Sequence, residues 1–126
     1  MFDHSPTVIV DMIHGYPALK MTWRNNIRKA DVSVAFDRIA DFLDQAGETI
    51  HVVVDITSNP VFPLRETISG AMRPFGHRYM GLWLVVGSNP LARIIEGSLK
   101  LATRRDSVKW FKNLDDAIKY LDDMSD

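Results

Sequence analysis

Short apolar runs that are typical of β-strands alternate with helical stripes along most of this chain. The runs cover residues 8–13, 18–23, 50–56, 79–86 and 108–111, and amphipathic stripes fill residues 31–46, 64–75, 90–102 and 114–121. The predicted order of elements is therefore β-β-α-β-α-β-α-β-α. Because repeated strand–helix units imply parallel strands with right-handed crossovers, the pattern predicts an α/β fold on one mixed, mostly parallel sheet.

The ends of these elements carry signals of their own. Residues 14–17 contain Gly and Pro and form so short a link that the first two strands should pair as an antiparallel hairpin. Asp31 is expected to cap the first helix, and Gly47 stands where the glycine after a helix is expected. Asn89, followed by proline, predicts another helix start, and Asn113 is expected to cap the last helix.

Length and composition indicate a single domain over residues 1–126, with the balance of apolar and charged residues of an ordinary globular protein. The absence of cysteine removes disulfides, thiolate metal ligands and cysteine nucleophiles, and it fits a cytoplasmic location. The net charge of −1 is not that of a nucleic-acid-binding protein, which needs a concentrated basic face. The longest apolar run, residues 82–86, is too short to span a bilayer, and residues 1–7 lack a signal-peptide pattern.

Several stretches of the sequence share features with one known family. They are the hairpin before the first helix, the central strand ending Val53-Val54-Asp55-Ile56-Thr57, the next strand leading into a helix, and residues 108–121, where an aromatic strand and a capped turn precede acidic residues, alanine and an apolar pair. Together they resemble the STAS domain family, the module of sulfate transporters and anti-sigma-factor antagonists. The closing stretch is similar to a bacterial STAS-like branch that is sometimes grouped with lipid-binding CRAL-TRIO domains. The resemblance covers nearly the whole chain in element order and implies a STAS-like fold.

The chain departs from this family at one position that matters for regulation. Regulatory STAS domains carry a phosphorylatable serine at the start of the helix after the central strand. Leu64 or Arg65 occupies that position here, and neither side chain can accept phosphate. Thr67 and Ser69 lie further into the helix. The resemblance therefore supports the fold and not the phosphorylation switch.

Polar residues follow three of the predicted strands. In open α/β sheets, ligands bind beyond the carboxyl ends of the parallel strands, where helix N-termini favour anions. Segments 55–59, 87–89 and 112–113 should meet there, and the candidate binding residues are Asp55, Thr57, Ser58, Asn59, Ser88 and Asn89. Segment 87–89 is the better anion cradle because it combines a glycine, a hydroxyl and free N–H groups. Alternatively, Asn89 only caps, Gly87 only turns the chain, and Asp55 only accepts hydrogen bonds from its own loop.

A second candidate surface is basic. Arg65, Arg73, His77 and Arg78 cluster around the second helix and its exit, and the first two are eight residues apart, roughly on one helix face. They could receive an acidic partner or an anionic head group, or they could form an ordinary solvated face. Phe62, in the loop before this helix, could flank a pocket or a dimer contact.

No catalytic or cofactor motif accompanies these candidates. The four histidines lack metal-ligand spacing, and neither a Gly-x-Ser-x-Gly elbow nor a phosphate-binding glycine motif is present, so we expect no metal, no cofactor and no catalysis. We expect a STAS-like module that binds a protein, including itself as a homodimer, or a small ligand through the loop after the central strand and residues 65–78. The alternative is a site for an apolar or anionic small molecule between the sheet and helix 64–75. An enzyme would need a pair such as Asp55 and His77 within hydrogen-bond reach.

Overall fold

In a computed structural model of the chain, five strands and four helices follow one another in the predicted order over the described residues. The strands are β1 (Val8–Met12), β2 (Ala18–Trp23), β3 (Ile50–Asp55), β4 (Met80–Val86) and β5 (Val108–Phe111). The helices are α1 (Lys29–Ala46), α2 (Leu64–Phe75), α3 (Pro90–Thr103) and α4 (Leu114–Met124). The structure describes residues 8–24, 26–58, 60–88, 90–103 and 107–124, with the backbone alone for Arg73, Phe75, Leu91, Ala102 and Thr103.

The five strands lie in the sheet in the same order as in the chain, β1-β2-β3-β4-β5. β1 and β2 form the predicted antiparallel hairpin, and the other neighbours pair parallel. Because every crossover steps to the next strand in the same direction, α1, α2 and α3 pack on one face of the sheet, and α4 covers the other. The order never reverses, so the sheet lacks the switch-point crevice that forms the ligand site of doubly wound folds.

The near-continuous apolar runs predicted for the central strands are buried on both faces. Val52 and Val54 of β3 face the core under α1, α2 and α3, whereas Val53 faces the smaller core under α4. All three side chains are at most 4% exposed, which explains why the strand does not alternate with polar residues. Between the described ends of the chain, no helix is long and apolar enough to cross a membrane.

The predicted ends of the elements are confirmed in part. Gly47 ends α1 with a φ of 67°, and the side-chain oxygen of Asn113 accepts the Asp116 N–H at 2.9 Å. Asp31 as the cap of α1 is wrong: the helix begins at Lys29, and Asp31 Oδ2 reaches back from the first turn to accept the Arg28 N–H at 2.9 Å. β1 and β3 end one residue earlier than predicted, and β4 begins one residue later. Asn89 lies outside the described residues.

Candidate functional site

The carboxyl ends of β3, β4 and β5 lie side by side, as the sequence predicts. The Ile56 N–H donates to the Val86 carbonyl oxygen at 3.0 Å, and the Gly87 N–H donates to the Phe111 carbonyl oxygen at 3.1 Å. These bonds extend the parallel ladder one residue beyond each strand. They also leave the backbone N–H groups of Ile56 and Gly87 already bonded within the sheet.

Asp55 is turned toward its own loop. The residue is the last of the buried strand β3 and is 9% exposed. Its Oδ1 accepts the Thr57 N–H at 3.0 Å and the Thr57 hydroxyl at 2.7 Å. Two donors from the same loop compensate the cost of placing a carboxylate at the end of an apolar strand. Thr57 and Ser58 are exposed, and Asn59 lies outside the described residues. The geometry is that of the loop-shaping alternative.

Gly87, the glycine of the predicted anion cradle at segment 87–89, has both of its backbone polar groups bonded to β5. The Gly87 N–H is committed to β5, and its carbonyl oxygen accepts the Trp110 indole N–H at 2.9 Å. A Cβ on Gly87 would lie 3.1 Å from Ile56 Cγ1 and 3.3 Å from Ala92 Cβ, so the glycine permits close packing of α3 on the sheet. Ser88 is exposed.

The basic residues around α2 are distributed between its two ends. Arg65 is exposed at the start of the helix, beside a groove between α1 and α2 that the Lys29–Glu66 ion pair bridges at 3.1 Å. A hydrogen bond from its own backbone N–H, and then one from Lys29, lower the pKa of Glu66 below its ordinary value. Arg73 lies on the same helix, but its side chain is outside the described set.

At the exit of α2, His77 is held on both ring nitrogens. Nε2 lies 2.8 Å from Asp44 Oδ1 on α1, and Nδ1 accepts the Tyr79 N–H at 3.1 Å. The Arg78 guanidinium lies over the Tyr79 ring, 4.7 Å from its centroid. These contacts tie the end of α2 to α1 and to the start of β4. His77 and Arg78 therefore form a separate cluster from Arg65.

Asp55 and His77 do not form a catalytic pair. Asp55 ends β3, whereas His77 precedes β4, whose first residue, Met80, pairs with Ile50 at the start of β3. The six residues of β3 separate the two positions, a span of about 17 Å at the usual rise per residue. Proton transfer within one site cannot include both groups.

An aromatic cavity lies between the sheet and the helices α1, α2 and α3. Trp23, Phe36, Phe62 and Trp83 line it, with ring-centroid distances of 6.4 Å for Trp23–Phe36, 5.2 Å for Trp23–Phe62 and 6.0 Å for Phe36–Trp83. Thr67 also lines it, but its hydroxyl donates to the Pro63 carbonyl oxygen at 2.8 Å. The free volume is about 10 Å³, so the cavity is closed in this conformation.

One residue that lines this cavity, Trp23, has a buried donor that differs from those of the other tryptophans. The three tryptophans of the chain differ in the hydrogen-bond partners of their indole N–H groups. Trp83 Nε1 donates to Met80 Sδ at 2.9 Å and Trp110 Nε1 donates to the Gly87 carbonyl oxygen, whereas Trp23 Nε1 has no hydrogen-bond partner among the described residues. Trp23 is 2% exposed. A buried N–H without an acceptor costs about 1–3 kcal/mol, so this position calls for a functional or structural reason.

Of this cavity, sequence reasoning identified Phe62 alone as the flank of a pocket. Trp23 lies in the apolar run at residues 18–23 and Phe36 in the stripe at residues 31–46, and both patterns predict a strand or a helix without indicating a cavity. The available signal was the tryptophan itself, because a buried indole needs an acceptor and a strand that faces an apolar core offers none. Which indole stays unpaired depends on tertiary contacts that the sequence does not reveal.

The similarity of this chain to known proteins is a similarity of fold. No protein-family model matches the sequence, and no curated protein matches it. Among solved structures, the chain is similar to an uncharacterized protein of the DUF3478 family with a SpoIIAA-like fold, from Shewanella loihica PV-4. The TM-score is 0.60 at 15% sequence identity, over 90% of this chain and 91% of that one. The chain is thus a single α/β domain with a STAS-like, SpoIIAA-like fold.

Proposed function

We propose that this chain is a non-catalytic STAS-like module that binds a small, mainly apolar molecule carrying one hydrogen-bond acceptor. The observation that carries the proposal is the buried Trp23 Nε1, which lacks a described acceptor, on a side chain that lines a cavity formed by aromatic rings. A ligand carbonyl or ether oxygen would satisfy this donor while its apolar part packs against the rings. The position agrees with the expected site between the sheet and α2.

Ligand entry requires a local opening. A benzene-sized molecule needs a cavity of about 150 Å³, far more than the present volume. Phe62 is the side chain that we expect to move, because it lies in the connection between β3 and α2 and packs edge-on against Trp23. One described backbone bond, from the Ile27 N–H to the Val61 carbonyl oxygen at 2.7 Å, ties this connection to the chain before α1. Outward rotation of Phe62 would expose the cavity without rebuilding the sheet.

A matched pair of probes tests the role of the donor. Acetophenone and ethylbenzene have similar shapes, but acetophenone carries a carbonyl oxygen. Acetophenone should shift the NMR resonance of the Trp23 indole N–H and bind more tightly by about 5–10-fold, the equivalent of one net hydrogen bond. The Trp23→Phe variant keeps an aromatic ring but leaves the carbonyl oxygen without a donor, so it should bind ethylbenzene at least as tightly as acetophenone. Equal binding of the two probes to the unaltered protein would reject the donor's role.

A second variant tests the entry route. Phe62→Ala removes the ring that covers Trp23, so it should speed ligand association and raise the affinity for ethylbenzene. Phe111→Ala is the matched control, because Phe111 packs in the core under α4, on the other face of the sheet. Native mass spectrometry of protein purified from cells gives an independent readout, in which a bound small mass supports the proposal. Absence of probe binding to both the unaltered protein and Phe62→Ala would overturn it.

A second candidate function, protein binding, rests on the outer face of α2. Arg65, Ser69 and Met72 recur on one helix face and are exposed, and Val61 in the preceding loop is 66% exposed. An apolar pair beside an arginine suits an acidic partner with apolar anchors. Replacement of Arg65 and Arg73 by alanine should weaken such an association. Unchanged association of a captured partner would remove α2 as the contact surface.

A further inference from the structure

Within the part of the chain that the structure describes, the outer edge of β1 pairs with no other strand. The Ile13 N–H donates to the Ala18 carbonyl oxygen at 2.9 Å, and alternation along the hairpin directs the hydrogen-bonding groups of Ile9 and Asp11 toward β2. Val8, Val10 and Met12 therefore present their N–H and C=O groups outward. Such an edge is a template for another strand.

The two edges of the sheet differ in how they are protected. β5, at the opposite edge, has four residues, includes Lys109 and is followed by Lys112. Short length and lysine are common means of discouraging strand addition. β1 has five residues, Val-Ile-Val-Asp-Met, with neither lysine nor proline. The edge that is open to pairing is therefore the one that β1 forms.

A second stripe of α1 lies above this edge. Val34, Arg38, Asp41, Phe42 and Gln45 recur at helical spacing and are all exposed, on a different face from the buried stripe of α1. The last four residues line a groove with Val10, and a neighbouring groove contains Met12 and Phe42. Val34 and Met12 are both 53% exposed. Exposed apolar side chains thus accompany the open backbone edge on the same side of the sheet.

We infer that this edge is the interface of a homodimer, in which β1 pairs antiparallel with β1 of a second copy around Val10. The groups of Val8, Val10 and Met12 would form about six inter-chain hydrogen bonds, joining two sheets into one. α1 packs against β1, so a two-fold axis beside β1 would bring the two copies of α1 side by side on one face of the joined sheet.

Charge and shape make this stripe complementary to itself. Two copies of α1 related by a two-fold axis level with Val10 run antiparallel. Arg38 then faces Asp41 of the second copy, and Asp41 faces its Arg38, so two ion pairs form by symmetry. Val34 then lies opposite the Phe42 end of the same exposed stripe on the second copy of α1. The occupant is a second copy of this chain because the same stripe supplies both the charges and their complements.

Charge reversal tests the arrangement. Sedimentation equilibrium should give twice the monomer mass of 14.3 kDa at about 100 μM protein. Arg38→Glu and Asp41→Arg should each weaken dimerisation by about tenfold or more, and the double variant should restore it because the pairs re-form with opposite polarity. Lys119→Glu, on the exposed face of α4, is the control and should leave the dimer unchanged. A monomer at this concentration would overturn the inference.

Cross-linking identifies which edge is used, because the chain has no cysteine. In the proposed pairing the two Val10 Cα atoms lie about 5.5 Å apart, within disulfide range. Val10→Cys should therefore give a covalent dimer on mild oxidation, and Lys109→Cys in β5 should not. A dimer that resists charge reversal and does not cross-link through position 10 would place the interface elsewhere and reject the assignment.

Discussion

Nδ1 of His51 accepts the backbone N–H of Leu82 at 2.9 Å, across the parallel pair of β3 and β4. The ladder register shifts at this point: Ile50 pairs with Met80 but Val52 pairs with Trp83, so β4 carries one extra residue. The imidazole satisfies an N–H that the bulge displaces from the ladder. A side chain therefore completes the backbone hydrogen bonding of the central sheet.

Stability should fall in mild acid because of His51. Burial lowers the pKa of this imidazole below its ordinary value of 6.5. The unfolded chain therefore binds a proton first as pH falls, and the free energy of unfolding contributed by His51, complete above pH 6.5, is lost below it. Denaturant titrations from about pH 7.5 to pH 5 measure the effect. His51→Asn, with an acceptor that does not titrate, should flatten this part of the pH profile, and an unchanged slope would contradict the prediction.

Gly81→Ala should destabilise the protein by about 1–3 kcal/mol. A Cβ there would overlap His51 Nδ1 and lie 2.9 Å from Thr49 Cγ2. Chemical denaturation of Gly81→Ala, His51→Ala and the double variant gives a coupling energy. The double variant should be less destabilised than the sum of the single ones, because the overlap is absent once the imidazole is removed. Strict additivity of the two losses in stability would mean that backbone packing, and not contact with His51, makes alanine unfavourable at position 81.

Two helical glycines should respond to alanine with opposite signs. A Cβ on Gly70 of α2 would lie 2.9 Å from Phe36 Cδ2 in α1, so Gly70→Ala should destabilise by about 1–3 kcal/mol. A Cβ on Gly97 of α3 would meet nothing within 4 Å, so Gly97→Ala should stabilise by about 0.5–1 kcal/mol through helix propensity. Thermal and denaturant unfolding compare the pair. Equal signs would show that close packing of α1 on α2 is not the constraint at Gly70.

Asp55→Ala should lower stability without affecting the aromatic cavity. The substitution removes the acceptor of the Thr57 N–H and hydroxyl and should cost about 1–3 kcal/mol. Thr57→Val removes the hydroxyl bond alone and should cost less. Probe binding measured through the Trp23 indole resonance should be unchanged in both variants. Loss of probe binding on Asp55→Ala would contradict this prediction and would indicate that the carboxyl edge of β3 contributes to ligand binding.

The sequence predicts the element order well because each element has its own periodicity and its own end signals. The apolar run of β3, the stripe of α2 and the cap at Asn113 each depend on residues close in the chain. The partner of the Gly87 N–H is not indicated by local sequence, because the acceptor is the carbonyl oxygen of Phe111, more than twenty residues away. The pairing of His51 with Leu82 and the unpaired Trp23 indole also depend on distant contacts, so no local pattern indicates them.

The matching order of strands in the chain and in the sheet has a consequence for how the molecule is built. Each new strand docks on the edge left by its predecessor, so every pairing closes a loop no longer than one hairpin turn or one helical crossover. During synthesis the sheet can grow outward from the β1–β2 hairpin as successive units emerge, without waiting for the C-terminus. β1 is the fixed starting edge of this growth, so no later strand in the described order completes it.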